Sequence, residues 1–374
     1  MIPGVIFGNL LVLACCLGSW AAQAQVSSLK RDEQIVFYPA CAWESSDGNA
    51  WWIEVNGCVY EPEGRRLALA LLREALAIKH IEITKAQEPV FAERARLFMV
   101  DNERHKRVVI RLGNRIFSLG QSAPNGHFSG SIRLSKEEMG SLVASGLSGN
   151  VGAKRAGRMV EFAAVMPPGD ERQFRGVIQL CDPAGWFVIS DIDDTIKITC
   201  STDSRAAVRN TLLEPFQPVP GMARLYQNWA SSNAHFFYVS ASPWQLYLPL
   251  SDFMSSNSFP AGVFQMKLFR LKDRTRASLL EGPEKYKPPE IEKILKRFPN
   301  GRFVLVGDSG ERDPEIYAAL ARKHPNQIAR VLIRNATGQG ADAPRYQQTF
   351  RDLPREVWDV FDDSATVSTI RGMD

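Results

Sequence analysis

The chain has 374 residues, 45% of them hydrophobic and 23% charged, with a formal net charge of +4. That is ordinary globular composition, and the length suits two domains better than one. No Lys/Arg run or basic helix accompanies the mild positive balance, which argues against a nucleic-acid partner.

The N-terminal stretch MIPGVIFGNLLVLACCLGSWAAQAQVSS carries no charged side chain before Lys30. An apolar run from about Val5 to Trp20 leads into Ala22, Gln23 and Ala24, the small-x-small pattern of a secretory cleavage site. Residues 1–24 are therefore expected to be a signal peptide, which makes the protein an exported one, periplasmic or extracellular. A membrane tether through the uncleaved segment and lipidation at Cys15 are the alternatives. Beyond the leader, Cys41, Cys58, Cys181 and Cys200 remain. In an exported protein the sequence neighbours are expected to pair, Cys41 with Cys58 and Cys181 with Cys200; buried free thiols are the alternative.

Residues 25–182 read as a β-rich N-terminal domain. QIVFYPACAW, AWWIEVNGCVY, ARLFMV, KRVVIRLG, RIFSLG, GHFSGSIRLS and RMVEFAAVM are short aromatic and β-branched runs broken by turn residues. Strands at that spacing suggest a sandwich or barrel. One helix interrupts them, GRRLALALLREALAIKH, with Leu67, Leu71, Leu72 and Ala75 on one face. GNVGAKRAG, residues 149–157, reads as a loop and does not fit a phosphate-binding P-loop.

At DPAG, residues 182–185, the texture changes to alternating strands and helices. WFVIS, HFFYVS, GVFQMKLFRL, RFVLVG and QIARVLIR read as strands. GMARLYQNWASS, a helix begun by Pro243 in PWQLYLPLSDFM, PPEIEKILKRF and DPEIYAALARKH read as helices. Continuous apolar strands between helices imply an α/β domain over 183–360, with a mainly parallel sheet covered on both faces, and a C-terminal tail from 361 to 374.

Ligands of a parallel sheet bind beyond the carboxyl ends of its strands. There this sequence gathers Asp191 and Asp193 after WFVIS, Ser240 at the end of HFFYVS, Lys287 ahead of a helix, and Asp308 and Asp313 after RFVLVG. Carboxylates so close resist ionisation together unless a cation neutralises them. All the candidate ligands are oxygens, which selects a hard ion, Mg²⁺ by default. Lys287 and Ser240 would hold phosphoryl oxygens, one Asp would attack phosphorus, and another would move the proton.

DIDDT resembles the DxDxT motif of haloacid-dehalogenase-superfamily phosphatases, and Ser240, Lys287 and GDSGERD resemble that superfamily's later motifs, in order. The longer strings ISDIDDTIK, PVPGMARLY, YVSASPWQLY and LVGDSGERDPEIY resemble the Mg²⁺-dependent phosphatidate phosphatases of the yeast actin-patch type, with lipins more distant. VNGCVYEPE in the first half is a weaker likeness to the region that precedes this catalytic domain in bacterial members. The resemblance implies a Rossmann-like haloacid-dehalogenase-type parallel sheet flanked by helices, preceded by a sandwich-like β-rich domain. It implies Asp191 as nucleophile and metal ligand and Asp193 as general acid/base with its backbone carbonyl on Mg²⁺. Thr195 orients Asp193 and the phosphate, Ser240 and Lys287 bind phosphate, Asp308 is a metal ligand, and Asp313 is a ligand or supports one. Ser242 competes with Ser240, and Lys285 with Lys287. The expected reaction converts phosphatidate to diacylglycerol and phosphate through an aspartyl-phosphate, with the substrate a phospholipid at a membrane surface.

Alone, DIDDT could be an acidic helix-capping turn; four ordered motifs tell against that. Asp194 has no task beyond capping, and Glu311 and Glu315 read as structural or surface residues. About 45 residues separate the first motif from Ser240, and about 45 more precede Lys287, too few for a large lid. FPAGVFQMKLFRLKDRTR, with Lys272, Arg274 and Arg276, reads as a strand and basic loop or a membrane-facing flap. Hydrolysis of another phosphomonoester is the second expectation. A binding module, whose β-rich half docks to the envelope, is the third.

Overall fold

The computed structural model describes residues 26–62, 73–144 except 75, 78 and 79, 158–268, 283–367, 370, 372 and 373. The leader (1–24), most of the first expected helix, the 149–157 loop and the basic stretch around Lys272, Arg274 and Arg276 lie outside these residues.

The first half forms one curled, mostly antiparallel sheet. Its strands are β1 (Gln34–Phe37), β2 (Ala40–Glu44), β3 (Ala50–Glu61), β4 (Asp101–Asn102), β5 (Arg107–Leu112), β6 (Arg115–Gln121), β7 (His127–Ser135), β8 (Arg158–Ala164) and β9 (Arg175–Leu180). The path runs β1-β3-β2-β9-β8-β5-β6, with β4 and β7 also on β3, and only the β2–β9 pair is parallel. Among the helices of the described residues, α1 (Glu88–Leu97) and α2 (Lys136–Ala144) accompany it. ARLFMV is no strand: α1 takes its first half. Phe91, Ala95 and Met99 are buried at a four-residue spacing, a helical period that overrides the local β propensity.

The second half is a six-stranded, wholly parallel sheet. Its strands are β10 (Trp186–Ser190), β11 (His235–Pro243), β12 (Val263–Lys267), β13 (Arg302–Asp308), β14 (Ile328–Arg334) and β15 (Trp358–Phe361), in the order β12-β11-β10-β13-β14-β15. Among the described residues the helices are α3 (Ser204–Leu212), α4 (Met222–Ser231), α5 (Tyr247–Ser256), α6 (Pro283–Arg297), α7 (Asp313–Lys323) and α8 (Pro344–Thr349). Side chains alternate along each strand. Val188, Phe236, Tyr238, Val304 and Val306 pack with α4 and α5 on one face. Phe187, Ile189, Phe237, Val239, Phe303 and Leu305 pack with α6 and α7 on the other. Both faces are covered, so the strands are apolar throughout.

Several elements differ from the sequence reading. Pro243 does not open a helix; it closes β11, pairing with Lys267 after a register shift, and a 3₁₀ turn at Trp244–Leu246 precedes α5. Helix α6 begins at Pro283 and runs through Pro288 and Pro289, which forfeit the bonds their missing N–H groups would make to the preceding turn. Burial of Ile291, Ile294 and Leu295 holds it together. α2, α3, α8 and β15 were not anticipated. The expected disulfides are also absent: among the described residues all four cysteines are free, Cys41, Cys58 and Cys181 buried in the core and Cys200 exposed.

The halves share their cores. Tyr38 and Cys58 belong to the cluster over α4 and α5, and Cys41 and Cys181 to the one over α6 and α7. Tyr38 stacks on Trp244 with ring centroids 3.8 Å apart. Ile370 and Met373 are buried in the same core, and Trp186 Nε1 donates to the Gly372 carbonyl. At the joint, buried His235 accepts the Asp182 amide on Nε2 at 3.0 Å and meets Gln179 through Nδ1 at 3.0 Å. Burial lowers its pKa to about 4, so the ring is neutral when folded. The unfolded chain takes up that proton from about pH 6.5 downward, so the stability present above pH 6.5 is lost as pH falls toward 4. We expect this one residue to account for about 3 kcal/mol of acid destabilisation. In urea unfolding across pH 7.5 to 4, His235→Gln should lack that component; equal slopes for both proteins would refute it.

Candidate active site

The site lies where the parallel strands end. Asp191 follows β10 and is anchored by its own amide, which donates to the Val306 carbonyl of β13 at 2.9 Å. Asp308 ends β13, and Asp313 opens α7. Lys287 arrives from α6, fully buried, with Nζ 2.9 Å from Asp191 Oδ1, 2.5 Å from Asp313 Oδ1 and 3.3 Å from Glu311 Oε2. Lys285, the competing lysine, is exposed. Gly307 permits the close approach, because a Cβ there would lie 2.3 Å from Asp313 Oδ2.

Oxygen atoms of Asp191, Asp308 and Asp313 all lie within 4.8 Å of one another. One ammonium faces these three carboxyls and Glu311, so charge is left uncompensated. Burial, opposed by Lys287, raises Asp191 to about 7 and Asp313 to about 6. Burial and then the neighbouring Asp313 and Asp191 push Asp308 well above the usual carboxylate range. Lys287 is held charged: burial opposes its ammonium, but Asp191 and Asp313 outweigh that. Asp308 Oδ1 accepts the Gly310 amide at 2.5 Å and the Glu311 amide at 3.3 Å, whereas its buried Oδ2 has no hydrogen-bond partner. An orphaned oxygen on a buried carboxylate that is clustered with two further carboxyls is what a hard cation would satisfy, so the donor set fits a metal.

Asp193 stands on the other flank. Its Oδ1 receives Lys197 Nζ at 2.7 Å and Thr199 Oγ1 at 2.7 Å; its Oδ2 receives Ser242 Oγ at 2.7 Å and Ser240 Oγ at 3.3 Å. Burial alone would raise its pKa, but the Lys197 pair and these bonds hold it below the usual range. Lys197 is itself buried and sits 4.9 Å from the centre of the Phe216 ring, which also carries Arg94 of α1 at 3.7 Å. Thr195 donates to Asp191 Oδ2 at 3.3 Å. Asp191, Asp193, Thr195, Ser240, Lys287, Asp308 and Asp313 are thus brought together, with Ser242 nearer Asp193 than Ser240 is.

Four residues carry tasks that the sequence reading did not assign. Glu311, read as surface, turns its carboxylate to Lys287. Lys197 and Thr199 clasp Asp193; the only sequence signal was two polar residues at alternate positions beyond DIDDT. Asp194 organises the loop: its carboxylate accepts the amides of Thr199 at 2.8 Å, Cys200 at 2.8 Å and Ser201 at 2.6 Å, while its backbone takes φ 54° and its carbonyl accepts Arg334 Nη1 at 2.7 Å. Asp194→Gly would keep that left-handed backbone yet leave three amides without their acceptor. Urea unfolding should show a loss of about 2–4 kcal/mol; a loss under 1 kcal/mol would mean that water replaces the carboxylate.

Residues 186–335 match a family model, that of the phosphatidate phosphatase APP1 catalytic domain. This half of the chain resembles APP1. Phosphatidate phosphatase APP1 of Saccharomyces cerevisiae is 36% identical over 170 residues, 44% of this chain and 28% of the relative. An uncharacterized protein of Schizosaccharomyces pombe is 29% identical over 199 residues, 50% of this chain and 31% of the relative. The chain therefore spans under a third of the length of these curated relatives. A solved phosphoserine phosphatase overlays 44% of this chain and 90% of its own at 13% identity and a TM-score of 0.27, too slight a likeness to bear on the fold. The APP1-like segment contains Asp191, Asp193, Thr195, Ser240, Lys287, Asp308 and Asp313, whereas Arg345 and all of the first half lie outside it.

Proposed function

We propose that this protein is a Mg²⁺-dependent phosphatidate phosphatase. The observation that carries the reading is the buried cluster of Asp191, Asp308 and Asp313 around Lys287, with one carboxylate oxygen unpartnered, inside a segment that matches the APP1 catalytic domain. In this reading the parallel sheet is a Rossmann-like fold of the haloacid-dehalogenase type over 183–360, followed by a tail at 361–374. The curled sheet over 25–182 is a sandwich-like domain. Residues 1–24 are an export signal, and the protein works outside the cytoplasm on lipid at a membrane surface, periplasmic or extracellular, with a tether through that segment as the alternative.

Asp191, Asp308, Asp313 and the Asp193 carbonyl would hold Mg²⁺, which neutralises phosphate charge and draws electron density from phosphorus when bound. Thr195, Ser240 and Lys287 would hold phosphoryl oxygens. The Asp191 carboxylate attacks phosphorus, the P–O bond to diacylglycerol breaks, and an aspartyl-phosphate forms. Asp193 is ionised at rest. A monoester with a second pKa of about 6 can bring a proton, and Asp193 passes it to the leaving oxygen. Asp193 then takes a proton from water, which attacks the aspartyl-phosphate and frees inorganic phosphate and Asp191.

Phosphate release from phosphatidate vesicles and from soluble phosphomonoesters, with Mg²⁺ or with a chelator, tests the reading. We expect Mg²⁺-dependent release from the vesicles. Release from soluble esters alone would replace the lipid with another phosphomonoester. No release from a broad panel would leave the binding module.

A further inference from the structure

Arg345 lies in α8, ten residues beyond the APP1-like segment, yet its guanidinium grips the loop between two of the proposed metal ligands, Asp308 and Asp313. Nη1 donates to the Ser309 carbonyl at 2.5 Å, and Nη2 to the Glu311 carbonyl at 2.7 Å. On its other edge the same group forks onto Glu315 of α7, with Nε to Oε1 at 2.9 Å and Nη2 to Oε2 at 3.1 Å. Glu315 is two residues from Asp313, so one planar group ties the 308–312 loop to the first turn of the helix that Asp313 opens.

The rest of that loop is held by the same C-terminal stretch. Ser309 Oγ accepts the amides of Ala336 at 2.8 Å and Thr337 at 3.1 Å, and the Ser309 amide donates to the Arg334 carbonyl at 3.0 Å. With its outward carbonyls bound, the loop turns its Gly310 and Glu311 amides inward onto Asp308 Oδ1. That contact takes up Oδ1 of the Asp308 carboxylate, whose Oδ2 has no hydrogen-bond partner, and the side chain stands in the cluster with Asp191 and Asp313.

We infer that Arg345 is a positioning residue for the metal site: it holds the loop in the turn that presents Asp308, and fixes the start of α7 that presents Asp313. The inference rests on the metal-dependent reading above. A planar fork is required, because the two carbonyls and the two Glu315 oxygens are met by nitrogens of one rigid plane, which an ammonium cannot reproduce. Groups that orient metal ligands typically carry 10–100-fold in affinity.

Mg²⁺ titration of the full chain by calorimetry, with thermal unfolding measured without metal, separates the outcomes. We expect Arg345→Ala to weaken Mg²⁺ binding at least tenfold, and Arg345→Lys, which keeps the charge but loses the fork, to weaken it by at least threefold. Asp308→Asn should bind no Mg²⁺. If Arg345→Ala proves unstable, Arg345→Lys alone decides. A variant that melts earlier yet binds Mg²⁺ within twofold of wild type would make Arg345 a structural residue only and overturn the inference. Failure of the wild type to bind Mg²⁺ would instead overturn the metal-dependent reading.

Discussion

On the reading proposed above, we expect Asp191→Asn to lower phosphate release by a factor on the order of 10⁴ or more while the protein stays folded. The variant changes one atom of a side chain that is 1% exposed. A carboxamide is too weak a nucleophile to open the phosphate ester, and loss of a nucleophile removes most of what a catalytic group set achieves together. Stability moves little, because two effects oppose. Lys287 loses one ion pair at 2.9 Å but keeps Asp313 at 2.5 Å. In exchange, the repulsion that Asp191 shares with Asp308, Asp313 and Glu311 is relieved. Without metal, urea unfolding should place the variant within about 1 kcal/mol of wild type. Residual activity above one part in a thousand would move the nucleophile elsewhere, to Asp193 or to a water.

Lys287→Met has the second effect, and it falls on both stability and rate. The ammonium is fully buried, and Asp191, Asp313 and Glu311 converge on it. Removing one member of a buried ion network strands the others, at a cost of about 3–5 kcal/mol. Methionine fills much of the space, so the loss is electrostatic rather than a cavity. A divalent cation offers the stranded carboxylates another partner, so Mg²⁺ should raise the variant's urea midpoint more than it raises that of wild type. If Lys287 also serves as a charged donor to the phosphoryl oxygens, as proposed, its loss should reduce the rate about 10²–10³-fold. An unchanged midpoint would mean that the carboxyls simply take up protons when Lys287 is gone.

Much of this was legible in the sequence, for reasons that differ by residue. WFVIS, HFFYVS and RFVLVG announce themselves because strands buried on both faces must be apolar throughout, and the alternation of their side chains between two cores is the physical counterpart. Asp191 and Asp308 stand out as polar residues directly after such runs, and Ser240 as the polar end of one, at the sheet end where ligands bind. Where short-range pattern and tertiary packing compete, packing wins. ARLFMV has a strand's composition, yet Phe91, Ala95 and Met99 bury a helical face. Pro243 has a helix opener's character, yet pairing with Lys267 keeps it in β11.

By itself the sequence determined the alternation of elements in the second half, the set of carboxylates, hydroxyls and lysine at its strand ends, and hence the chemistry such a set can do. Those features are local: apolar runs, turn residues and motif order are read within a few residues. Only the tertiary structure decided which partners those groups have. Lys287 meets Asp191 across 96 positions of sequence, Arg345 reaches the Ser309 carbonyl across 36, and α1 of the first half meets Phe216 through Arg94. It also decided that the four described cysteines are unpaired and that Asp194 holds three amides of its own loop. Such contacts depend on which surfaces the sheets and helices bring face to face, a property of packing that no single stretch of the chain encodes.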